Sequence, residues 1–121
     1  MLRLALDVPQ LPRLELQIEI RDADDRFVAR VDGGYPEHGV LLEFDGMVTY
    51  SALLRPGQSA SEVVVAEKRR EERISALGWL VIRVVWADLQ HPSVLIRRIQ
   101  LACQDRQRLT GMIRGTARIP Q

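Results

Sequence analysis

The chain has 121 residues, 46% of them apolar, which suits one domain with one buried core and is too short for two. Its 17 basic and 16 acidic residues leave a net charge of +1, excluding a molecule drawn as a whole to nucleic acid or to an anionic membrane and leaving any such binding to a local patch. The single Cys103 cannot form an intramolecular disulfide, MLRLALDVPQLP lacks the order of a secretory signal, and no run approaches the roughly 18 apolar residues of a membrane span, so a cytoplasmic location without membrane attachment is expected.

Residues 1–12 read as a lead-in, 13–109 as the folded domain and 110–121 as a loose tail without periodicity. From Leu14 to Arg21 apolar and polar residues alternate, which predicts a half-buried strand with Leu14, Leu16, Ile18 and Ile20 on one face. The run Asp22, Ala23, Asp24, Asp25 favours a turn, because such side chains bond nearby backbone amides, and a hairpin into a second strand, Arg26 to Asp32, follows. Gly33, Gly34, Pro36 and Gly39 then predict a turn, and Val40 to Asp45 a third strand ending at Gly46.

Residues 47–58 read as a loop, ending where Ser59 and Glu62 have the spacing of a helix capping box. The helix expected from Ala60 to Leu77 carries an inward stripe of Val63, Ala66, Arg70, Ile74 and Leu77, with Gly78 placed to end it. Leu80 to Trp86, interrupted only by Arg83, has the continuous apolar character of a central strand covered on both faces. His91 and Pro92 suit the start of a last helix, whose apolar stripe is Leu95, Ile99, Ala102 and Cys103. Three sequential strands followed by a helical crossover imply an α/β fold with a mixed sheet flanked by helices.

Glu43 and Asp45 lie two apart on one strand and share a face, while Asp32 closes the preceding strand. Three carboxylates that converge repel one another, and a divalent cation is the usual means of holding them together. Ligands of oxygen alone favour Mg²⁺ or Mn²⁺ over zinc. The only lysine among the 17 basic residues is Lys68, the one candidate for any role that demands an ammonium, and Arg70 lies nearby on the inward stripe.

The stretches RFVARVD, VLLEFDG and AEKRREERISALGWLVIRVVWADL, spanning roughly residues 13–103, resemble the PD-(D/E)XK (restriction-endonuclease-like) superfamily. Within it they are most similar to the very-short-patch-repair-type domain of actinobacterial proteins, often found behind an AbiEi-type antitoxin winged helix. The resemblance implies an αβββαβ nuclease core in which Asp32, Glu43 and the Phe44 carbonyl hold Mg²⁺ or Mn²⁺. It implies catalysis by Asp32, Glu43 and Asp45, with Lys68 or Arg70 as the basic group and DNA as the partner. Asp45 stands where the superfamily carries lysine, Thr49 and Tyr50 stand where relatives carry a basic residue or histidine, and Gly33 replaces a bulky apolar residue.

The expected activity is therefore that of a divergent metal-dependent endodeoxyribonuclease. The alternative is a catalytically silent nuclease-fold module that binds DNA or protein, or a truncated antitoxin-like protein whose exposed sheet edge is covered in a homodimer. Each candidate also has a plainer reading. Asp32 can simply end a strand, Glu43 and Asp45 can form an exposed strand face, and Arg70 can form a structural ion pair with Glu67. Lys68, Arg69, Glu71, Glu72 and Arg73 can be a solvated helix face, His38 a surface residue, and Trp79 and Trp86 core.

Overall fold

The computed structural model describes residues 5–44, 60–106 and 110–120, which form an α/β fold with one five-stranded mixed sheet and three helices. Strands β1 (Glu15–Arg21) and β2 (Phe27–Tyr35) form the expected antiparallel hairpin. Its turn is built as the acidic run predicts: Asp22 Oδ1 accepts the Asp24 and Arg26 amides, both at 2.9 Å, while Asp25 takes a left-handed backbone with φ 61°. Asx side chains tolerate that region better than most.

The expectation that Leu14, Leu16, Ile18 and Ile20 share one face is corrected. Leu14 and Leu16 pack into one core with Tyr35, whereas Ile18 and Ile20 pack into the other with Ala29 and Val31. The two cores lie on opposite faces of the sheet, since neighbouring Leu41 and Leu42 divide between them. The physical cause is Gln17, whose φ of 54° reverses the alternation without adding a residue. The ladder pairs Leu16 with Gly33 and Ile18 with Val31 but skips Gln17 and Asp32. A crease thus crosses both strands at the level of Asp32.

Gly33 and Gly34 belong to β2 rather than to the turn. A Cβ on Gly33 would stand 2.9 Å from the Glu15 carbonyl oxygen, and one on Gly34 would stand 2.6 Å from that of Val40. Glycine is needed here because three strands come close together. The turn itself is a short 3₁₀ segment, Pro36–His38, closed by Gly39 at φ 73°.

Strand β3 (Val40–Phe44) pairs antiparallel with β2, and helix α1 (Ala60–Ala76) leads into β4 (Leu80–Val84), which lies parallel to β3. The sheet order is β4-β3-β2-β1-β5, so β4 is an edge strand, not the central one expected; its apolar run reports burial of its faces, not neighbours on both sides. A single helical turn, α2 (Trp86–Leu89), precedes α3 (Pro92–Arg106). Helix α3 buries Leu95, Ile99 and Cys103 as its periodicity predicts. Helix α1 stops at Ala76, two residues before Gly78, whose φ is 105°.

Two outer segments differ from expectation. In the lead-in Leu6 and Leu11 are buried in the α3-side core. The tail supplies β5 (Thr116–Arg118), antiparallel to β1, and is therefore not loose there: Arg118 Nη2 lies 3.0 Å from Asp25 Oδ1, and the Arg114 amide donates to the Leu77 carbonyl at 2.8 Å. These are backbone pairing and salt-bridge signals that leave no apolar periodicity in three residues. Among the described residues, no helix is long and apolar enough to cross a membrane. Asp45, Thr49, Tyr50, the expected loop over 47–58 and the Ser59 cap lie outside the described residues.

Two measurements test this packing. Glycine inside a strand normally costs about 0.5–1 kcal/mol, but Gln17→Gly is expected to be neutral or to stabilise by up to about 1 kcal/mol in urea unfolding, because it relieves a left-handed glutamine. Burial pushes the Cys103 thiol up to about 11 from 9.0. Below pH 9 the thiol is protonated folded or unfolded, so its contribution is whole; from pH 9 to 11 only the unfolded chain ionises and up to about 3 kcal/mol is lost. Cys103→Ala should flatten that alkaline decline, and an unchanged slope would refute the assignment.

Candidate functional site at the end of strand β3

Asp32 and Glu43 come together as a consequence of register. Gly33 pairs with Leu42, so the next step along the same antiparallel ladder sets Asp32 opposite Glu43. The crease leaves Asp32 out of regular pairing with β1, and its carboxylate instead reaches toward β3, where Oδ2 accepts the Phe44 amide at 2.7 Å. Phe44 is anchored from the other side, its ring meeting that of Trp86 edge-on at 5.3 Å. Trp86 is half-buried, while Trp79 is buried in the α1-side core.

Glu43 projects toward α1, on the same face as Leu41. Its side chain is only 16% exposed and lies under Arg70, whose Nη1 is 2.7 Å from Oε1. The same nitrogen is 3.8 Å from Glu67 Oε2, and Arg70 Nη2 donates to the Arg30 carbonyl at 2.6 Å. Glu43 Oε1 is itself buried, and the Arg70 guanidinium is the positive group it faces. Next to this group, Glu43 of β3 pairs with Arg83 of β4, whose Nη2 lies 3.0 Å from Glu71 Oε2.

Of the inward stripe expected of α1, Val63 and Ile74 are buried, Arg70 is half-buried and Leu77 packs against the α1-side core, while Ala66 is exposed. Glu67 and Glu71, not part of that stripe, are half-buried beside Arg70. Four carboxylates, Asp32, Glu43, Glu67 and Glu71, face two guanidiniums, Arg70 and Arg83. Burial holds the Glu43 carboxyl above the usual carboxylate range; Arg70 opposes this, and the negative charges of Asp32 and Glu67 reinforce it. The group favours additional positive charge at this point.

Of the residues singled out from sequence, Asp32, Glu43, Phe44 and Arg70 are thus brought together. Lys68 is not. It is exposed and sits about 200° around the helix from Arg70, on the outward side with Arg69 and Arg73. Glu71 and Arg83 were not foreseen as members of this layer, although a lone arginine in an apolar strand and glutamates flanking Arg70 were visible signals. His38 is half-buried at the other end of β2, beside a cleft of about 240 Å³ that Tyr35 and Pro12 also line.

The donor set fits a hard divalent cation only in part. Asp32 has Oδ1 left over from its bond to Phe44, and Glu43 has Oε2 beside the oxygen that faces Arg70. Among the described residues no group of three or more Asp, Glu, His or Cys side chains is placed to hold a metal, so a backbone carbonyl or water would have to complete the shell. Compared with family models, curated proteins and solved structures, the chain has no significant match.

The Arg70–Glu43 pair is open to a thermodynamic test. Arg70→Met strands a largely buried carboxylate and should lower the unfolding free energy by about 1–3 kcal/mol. Adding Glu43→Gln to that variant should recover part of the loss. Purely additive losses in a double-mutant cycle would show that the two side chains do not interact.

Proposed function

We propose that this protein is a divergent metal-dependent endodeoxyribonuclease of the restriction-endonuclease-like type, hydrolysing DNA phosphodiesters at Asp32 and Glu43. The observation that carries the reading is the meeting of these two carboxylates on adjacent strands at a break in the ladder, with Asp32 tied to the Phe44 amide. Carboxylates seldom share a half-buried position unless a cation compensates them. The very-short-patch-repair-type resemblance of the sequence supports the same assignment.

In this reading Asp32, Glu43 and the Phe44 carbonyl hold Mg²⁺ or Mn²⁺, which when bound polarises the phosphate and lowers the pKa of a water. The chain's own residues do the positioning. The Phe44 amide fixes the rotamer of Asp32, and the Phe44–Trp86 contact fixes the backbone that carries Glu43. Arg70 supplies positive charge next to the carboxylates, the role that lysine fills elsewhere in the superfamily. Arg69, Arg73 and Lys68 on the exposed side of α1 offer phosphate contacts that position DNA without reading its sequence.

One observation favours a second reading. Arg70 already neutralises Glu43, as it would in a catalytically silent module that keeps the fold for binding. Plasmid nicking separates the two. Purified protein with Mg²⁺ or Mn²⁺ should convert supercoiled DNA to open circles, and Asp32→Asn should reduce the rate at least about 100-fold while leaving the far-UV circular dichroism unchanged. Nicking that survives the substitution refutes the endonuclease assignment.

A further inference from the structure

We propose that Arg70 is an internal counter-ion of the Asp32–Glu43 pair, seated on Glu43 in the metal-free protein and transferred to Glu67 when a divalent cation binds. The inference rests on the metal-dependent reading above and adds a regulatory step to it. One nitrogen, Nη1, stands 2.7 Å from Glu43 and 3.8 Å from Glu67, so the guanidinium already lies between two carboxylates. Glu67 is one turn earlier on the same helix, and a change of side-chain torsions moves the charge from one to the other. Nη2 is held by the Arg30 carbonyl at 2.6 Å, which gives the movement a pivot on β2.

Charge and burial both favour such a second seat. With Arg70 on Glu43, the pair carries one net negative charge, a poor match for a divalent ion. With Arg70 on Glu67 it carries two. A guanidinium and a divalent cation on one buried carboxylate repel each other, most strongly where water is excluded. Arg70 is only 22% exposed and is bounded by the sheet, so its displacement without another carboxylate to receive it would leave a half-buried cation unpaired. Glu67, 34% exposed at its side chain, is that receiver.

The two halves of the mechanism give opposite signs. Titrating Mn²⁺ into the purified protein by calorimetry, Arg70→Met is expected to bind at least about tenfold more tightly than the wild type, because the competitor is gone. Glu67→Gln should bind severalfold more weakly, because Arg70 has lost its alternative seat. Asp32→Asn, which removes a ligand, should abolish the heat in either background. Unchanged or weaker binding by Arg70→Met, with Mn²⁺ bound by the wild type, overturns the counter-ion role and leaves the metal site standing. Should Arg70→Met fail to fold, Glu67→Gln decides alone, and unchanged or tighter binding by it overturns the proposal. If neither the wild type nor folded Arg70→Met takes up Mn²⁺, the metal-dependent reading falls and the counter-ion role with it.

Discussion

Placing a carboxylate beneath α1 is the constraint around which this fold is arranged. Strand alternation sends Leu41 and Glu43 to the same face, so the helix that covers one must also cover the other. A charge taken out of water needs a partner, and α1 answers with Arg70 where another apolar residue would sit; Glu67 and Glu71 follow, and Arg83 joins from β4. An apolar layer of equal volume is often at least as stable as a buried ionic one. The opposite face, under α3, shows what that looks like: Leu95, Ile99 and Cys103 pack on Leu42, Ile82 and Val84 without a charged side chain among them. One face is built for cohesion, and the other gives up some cohesion to hold charge in place.

The crease at Gln17 and Asp32 serves the same end. A fully paired central strand would commit Asp32 to its two neighbours, whereas a skipped rung lets its carboxylate cap the Phe44 amide at the end of β3. A non-glycine residue held in the left-handed region at the level of Asp32 on the next strand is strain located near the candidate chemistry, a recurrent property of sites that must hold a fixed geometry.

Much of the frame was legible because it is local. Asp22 and Asp25 wrote the hairpin turn, Gly78 the region where α1 ends, and His91–Pro92 with the Leu95, Ile99, Cys103 stripe wrote α3. The meeting of Asp32 with Glu43 was legible as well, since strand order and spacing nearly determine it. What escaped depends on backbone sign or on distant partners. Strict alternation from Leu14 to Ile20 carries no record of a single positive φ at Gln17, and Gly33 and Gly34 look alike whether they turn a chain or admit a neighbouring strand. Whether β4 lies at an edge cannot be read from its apolar run, because the helices cover its faces in either position. The half-buried state of Glu67 and Glu71 follows from a carboxylate on another strand, which no helical periodicity can express.

Because the alternation of β1 and β2 reverses midway, the same two strands contribute their first and second halves to different cores. Neither core can be dismantled without pulling apart the backbone that supports the other. The molecule should therefore melt in a single transition despite its two hydrophobic compartments, and amides under α3 should exchange with solvent on the same global opening as those under α1. A sheet with uniform faces would have allowed the two helical layers to peel off one at a time.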